Sequence, residues 1–150
     1  MLFMPMPLPR RLANWAWPLL LLAMPAAHAD TACLAKAQTQ TQINACAAGD
    51  LKQADDWLNQ HYRQMQQRLK DDPEVRKLLL DAQRKWLAFR DAECALQAMR
   101  SRDGSSHPFN VNSCLADLTQ ARAAALQKHL DCARHAGEQD AASCAVPRRP

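Results

Sequence analysis

Glycine is nearly absent from this chain: 150 residues contain three, at 49, 104 and 137. Proline is scarce where it would matter. Between Asp30 and Ala145 only Pro73 and Pro108 occur. Aromatic residues make up 5% of the sequence, and no run of β-branched and aromatic residues suggests a strand. These absences exclude a β-sandwich or barrel, which needs frequent turns and alternating strands. No Cys-x-x-Cys-His occurs, which removes the covalent haem attachment of a bundle cytochrome. No strong basic stripe is present either, so nucleic acid is not an expected partner.

What is present begins with an export signal. Arg10 and Arg11 close a short basic region, Leu12 to Ala27 is almost wholly apolar, and Ala27-His28-Ala29 supplies small residues for a signal peptidase. Residues 1–29 read as a cleaved signal peptide. The apolar run is shorter than the roughly 20 residues of a membrane span and carries Pro18 and Pro25. Cys33 is preceded by Asp30-Thr31-Ala32, without the leucine of a lipoprotein box, so a lipid anchor is not expected. The formal charge of the whole chain is +4; losing Arg10 and Arg11 leaves 17 basic against 15 acidic side chains, or +2. The expected compartment is the periplasm, with full secretion open.

All six cysteines, at 33, 46, 94, 114, 132 and 144, follow the cleavage site. An even count in an exported chain reads as a disulfide framework, because such compartments are oxidising. With every thiol so occupied, none is left as a nucleophile, and no enzyme is expected. His129, Cys132, His135 and Cys144 offer a zinc alternative, but residues six apart lie on different sides of a helix and oxidation favours the disulfide. No metal or other cofactor is expected.

Between the breakers lie stretches rich in Ala, Leu, Gln, Lys and Arg, all good helix formers. The first helical region covers about 41–70, with Leu51, Ala54, Leu58, Tyr62, Met65 and Leu69 on one face. Gly49 offers a break, with Asp50 and Gln53 as a capping box for a restart, so the region is one kinked helix or two. The second helix starts at Asp72 as cap and Pro73 in the first turn. Its expected buried stripe is Val75, Leu79, Ala82, Trp86 and Phe89, and Gly104 is its stop, about 30 residues on. A polar loop over 103–112 follows. The third helix is expected from Asn112 or Ser113 to about His135, with Leu115, Leu118, Ala125 and Leu126 inward.

The architecture these elements predict is an all-α, antiparallel bundle of three long helices, stapled by disulfides. The domain spans 30–136, and 137–150 forms an irregular tail tied by Cys144. Six cysteines allow fifteen pairings. Proximity along the chain and across the hairpin favours Cys33–Cys46, Cys94–Cys114 and Cys132–Cys144. The loop 104–110 contains Ser105, Ser106, His107 and Phe109 and would be braced by Cys94–Cys114. A braced loop loses little entropy on binding, which makes these four residues candidates for partner contact. The competing reading is an ordinary polar connection.

Several strings resemble one family together: Thr41-Gln42-Ile43-Asn44-Ala45-Cys46; Asp55, Leu58, Asn59 and Tyr62; Gln83, Arg84, Trp86, Phe89, Arg90, Asp91 and Cys94; then Cys114 and Arg122. Their order and spacing are similar to the lysozyme-inhibitor-like LprI family of small exported bacterial domains. The resemblance covers about 33–130 and implies a helical, disulfide-bonded fold. For the namesake it implies inhibition of lysozyme. The matching residues read as mainly structural. The partner implied is a lysozyme, and the competing class is an envelope interaction module with another protein as partner.

Overall fold

The computed structural model describes residues 31–135 and 143–146. The signal peptide expected over 1–29 and most of the tail expected over 137–150 lie outside the described residues. Four α-helices follow in order: α1 (Thr31–Lys36), α2 (Gln40–Arg68), α3 (Pro73–Gln97) and α4 (His107–His135), with a 3-10 turn at Met99–Ser101. No strand occurs among the described residues. The fold is the all-α bundle of three long helices that the composition calls for, with the short α1 added in front.

Helices α2 and α3 each begin where a side chain satisfies a free backbone donor. Thr39 caps α2: its hydroxyl accepts from Gln42 N while the Gln42 side chain accepts from Thr39 N. Asp72 accepts from Val75 N at 3.0 Å to cap α3, with Pro73 in the first turn. Gly49 does not break α2, which runs unbroken for 29 residues. Nothing lies within 4 Å of where its side chain would begin, so the helix merely tolerates a glycine on an open surface. The start at Gln40 lies within a residue of the one expected at about 41, but the capping box is built from Thr39 and Gln42 instead of Asp50 and Gln53.

Two bonds fix how the helices run. Asn44 Nδ2 donates to Ser105 O, and Arg68 Nη1 donates to Leu130 O at 2.7 Å. Both ends of α2 therefore sit beside the matching ends of α4, and these two helices are parallel. The chain reaches this arrangement through α3, which runs the opposite way. On the α2–α4 seam, Ala47, Ala54, Ala116, Thr119 and Ala123 are all buried. Such small residues let the backbones approach closely. Towards the far end, Leu58, Met65 and Leu69 from α2 pack with Leu126 and Leu130 from α4 and Leu79 from α3.

Two expectations about faces are corrected. Phe89 and Ala82 do not join the buried stripe of α3; Phe89 is 55% exposed and Ala82 is also exposed. The buried face is Leu79, Gln83 and Cys94, with Trp86 half-buried. On α4 the innermost positions are Cys114, Ala116, Thr119, Ala123, Leu126 and Leu130, one helical step away from the Leu115, Leu118 and Ala125 set, which is half-buried. Leu126 is buried as expected, whereas at the near end of α4 the close helix contact is made by the smaller Ala116, Thr119 and Ala123 rather than by the leucines.

Three disulfides join the described cysteines: Cys33–Cys46 ties α1 to α2, Cys94–Cys114 ties α3 to α4, and Cys132–Cys144 ties the end of α4 to the tail. The last has a consequence for the core. It holds the short segment 143–146 so that Val146 is wholly buried against Leu58, Leu126 and their neighbours. The tail residue that looked peripheral is part of the core.

Candidate functional site

The α3–α4 hairpin end is built by a relay of backbone bonds. Ala98 N donates to Cys94 O, Ser101 N to Ala98 O, Gly104 N to Ser101 O, and His107 N to Gly104 O. Each closes a turn of three or four residues, so the chain reverses with little free loop. The polar loop expected over 103–112 is therefore shorter. The second helix ends at Gln97 and the third starts at His107, because Pro108 in a first turn needs no hydrogen-bond partner. His107 and Phe109 thus lie in the opening turn of α4, while Ser105 and Ser106 remain in the connection.

Ser101 Oγ donates to Ala98 O at 2.8 Å and lies 3.2 Å from His107 Nδ1. A hydroxyl has one proton, so donor counting assigns the proton of the second contact to Nδ1. His107 Nε2 is then left as an acceptor. Beside it opens a shallow cleft of about 500 Å³, lined by Asp91, Cys94, Met99, Arg102, His107, Val111 and Leu115. Of the four residues singled out in the sequence, His107 alone lines this cleft. Ser105 is exposed and tied through its carbonyl to Asn44, and Ser106 and Phe109 are half-buried elsewhere on the hairpin. Arg102 and Asp91 were missed as cleft residues. Asp91 stands out in the sequence only as part of the family string and Arg102 only as a charge next to the turn, and neither points to a cleft.

A second constellation lies midway along the bundle, between α2, α3 and α4. Arg90 Nη1 donates to Thr119 Oγ1 at 3.1 Å and reaches Asp55 Oδ1 at 3.4 Å, and its Nη2 pairs with Asp91 Oδ1 at 2.9 Å. Arg122 Nε donates to Gln83 Oε1 at 3.1 Å. The two guanidinium carbons lie 5.3 Å and 6.0 Å from the Trp86 ring centroid, where an arginine is attracted by the ring's electron-rich face. Burial pushes Arg122 below its ordinary pKa. Arg90 is largely enclosed, and its charge is offset by two carboxylates. The Arg90 guanidinium points its donors to Asp55, Asp91 and Thr119, so this layer binds the three helices to one another. Of its carboxylates, Asp91 also lines the cleft at the hairpin end, so the layer and the cleft meet at this residue.

The zinc alternative fails on chemistry. Cys132 and Cys144 are bonded to each other and offer no thiolate, and His135 Nδ1 lies 3.2 Å from Asp131 O.

The family described as lysozyme inhibitor LprI matches residues 33–126. The chain belongs to this family. A relative from Rhizobium meliloti (strain 1021), described as uncharacterised, is 34% identical over 111 residues, covering 67% of this chain and 80% of the relative. No solved structure matches.

The LprI-like strings divide in the structure. Asp55, Gln83, Trp86, Arg90, Asp91 and Arg122 come together in the polar layer, with Thr119 as an added partner. Leu58 and Tyr62 belong to the apolar core. Asn59, Arg84 and Phe89 are exposed and join neither. The matched span, 33–126, includes Cys33, Cys46, Cys94 and Cys114, and stops before Cys132 and Cys144. The bridge that seats Val146 in the core thus lies beyond the LprI match.

Proposed function

We propose that this protein is exported through a cleaved signal peptide, residues 1–29, and acts in the periplasm as a non-enzymatic inhibitor of a lysozyme. The observation that carries this reading is the match to lysozyme inhibitors across 33–126. Two features support it. The described cysteines are all paired, as suits an oxidising compartment. Among the described residues no helix is long and apolar enough to cross a membrane.

The contact surface in this proposal is the hairpin end, with Ser105, Ser106, His107 and Phe109. His107 carries the chemistry best: an imidazole on a braced turn can hydrogen-bond one of the two carboxyl groups that flank the bond a lysozyme cleaves. The net charge of +2 expected after signal cleavage gives no long-range steering towards a basic lysozyme, so recognition rests on short-range fit.

The test is to incubate the oxidised protein with lysozymes of several types, measuring cell-wall lysis and binding. Inhibition of at least one type is expected. The double variant His107→Ala/Phe109→Ala, checked for folding by circular dichroism, should weaken binding about tenfold or more, as loss of a central contact does. Unchanged inhibition would remove the hairpin as the contact surface. No inhibition of any type would leave a binding module for another envelope protein.

A further inference from the structure

Helix α3 carries a second apolar stripe that no part of the described chain covers. Leu78, Ala82, Lys85, Phe89, Ala92 and Leu96 are all exposed, Leu78 at 62% and Leu96 at 71%. They follow one another at steps of four, three, four, three and four. That is the a/d rhythm of a coiled-coil seam, in which each position faces a partner helix. At 100° per residue the six fall within about 80° of arc. They lie roughly a quarter-turn from Leu79, Gln83 and Trp86, which face the interior. Exposed leucines scattered singly would need no explanation. A continuous seam over 19 residues, about 28 Å long at 1.5 Å per residue, does.

The sequence of the stripe also says what fits it. Laid antiparallel against its own copy about a centre at residue 87, Leu78 meets Leu96, Ala82 meets Ala92, and Lys85 meets Phe89. Every layer then pairs an a position with a d position, as antiparallel coiled coils do. Large side chains meet large ones at the ends, and small meet small between. The one charge on the stripe is set over an aromatic ring, where a lysine ammonium is attracted. Ala88 and Ala95 flank the seam on its open side and leave room for close approach. A parallel pairing would instead set Lys85 against Lys85. An isologous two-fold contact requires this kind of self-complementarity.

We infer that α3 is a self-association surface: two copies of the protein pair antiparallel along Leu78–Leu96, forming a two-fold dimer. A seam of one helix pair falls short of the roughly 800 Å² per partner of a standard stable interface, so the dimer is one that forms and dissociates with concentration.

Sedimentation of the oxidised protein from about 1 to 200 μM should show monomer passing to dimer. Phe89→Glu should weaken association at least about thirtyfold, while Leu87→Glu, on the opposite side of the helix, should leave it within about threefold. A charge swap fixes the register. Ala82→Glu and Ala92→Lys should each weaken the dimer about tenfold, and the double variant should recover it. Only in the antiparallel arrangement does the introduced carboxylate of one copy face the introduced ammonium of the other. Circular dichroism of each variant confirms that the bundle is intact. A protein monomeric at 200 μM, or a dimer indifferent to Phe89→Glu, overturns the inference. So does a monomer whose lysozyme binding is lost on Phe89→Glu, which would give the stripe to the lysozyme.

Discussion

The parallel α2–α4 pair and the antiparallel α3–α4 pair share one helix but are held by different physics. On the first seam, small residues at one end and leucines and methionine at the other exclude water from a continuous apolar strip. Helix α3 enters that strip mainly at its beginning, through Leu79, with Val75 and Trp86 packed against it. Farther along it is held by the arginine–tryptophan layer and finally by the Cys94–Cys114 bridge. Apolar burial depends on area and is indifferent to direction, whereas guanidinium hydrogen bonds and a disulfide fix position. Helices α2 and α4 thus supply most of the packing, and α3 is fastened to them with one of its faces left open.

The largest effect should come from opening the first seam. Leu126 is 1% exposed, and Leu126→Ala should cost about 4 kcal/mol through lost burial and the cavity left behind. Chemical denaturation should register this as a lower midpoint for the whole bundle. A loss under about 1 kcal/mol would mean that the α2–α4 packing is not the main support.

A somewhat smaller loss is expected at the second pair. Cys94→Ser/Cys114→Ser removes a closure spanning 20 residues and should cost about 3 kcal/mol in the chain-entropy model. The distribution of the effect matters more than its size. Hydrogen exchange should rise in α3 well before α2 or α4, because its far half has little apolar packing to replace the bridge. Uniform acceleration across the three helices would contradict the division of roles.

The smallest effect is a pH dependence in α2. His61 lies three residues after Leu58 and four before Met65, on the same side of the helix, and its Nδ1 is buried without a hydrogen-bond partner. Burial pushes its pKa below the ordinary 6.5. The unfolded chain therefore takes up this proton first as pH falls. Stability contributed by neutral His61 is complete above about pH 6.5, declines as pH drops below it, and levels off once the folded state is protonated too. His61→Gln should flatten that slope in a series of thermal melts. An unchanged slope would assign it to another group.

Local chemistry made much of the fold readable in advance. The Asp72-Pro73 start of α3 can be read from two adjacent residues, since a carboxylate cap and a proline in the first turn act within four residues of chain. The all-helical class follows from the lack of glycine, proline and β-branched runs. Longer-range features were less legible. Pro108 reads as loop, although a proline in the first turn is compatible with a helix, and only the bonds that His107 N and Asn110 N donate to Gly104 O and Ser106 O show that the helix begins at His107. For the candidate site, His107 was recognisable as an imidazole near a turn. Its neighbours Asp91 and Arg102 could not be assigned to it, because what joins them is the folding back of α4 on α3.

Composition and neighbours along the chain are enough to say which segments are helical, where α3 begins, and that the cysteines could staple the bundle. Periodicity also names the buried face of α2, where Ala54, Leu58, Met65 and Leu69 are all enclosed, but the buried faces of α3 and α4 were settled only by the packing of the helices on one another. Periodicity placed Ala82 and Phe89 of α3 inside, but α2 and α4 cover the face of Leu79, Gln83 and Trp86 and leave the other stripe to solvent. Packing also brought Val146 into the core. A repeat of three and four residues marks a face as apolar; which apolar face is covered depends on where the neighbouring helices lie.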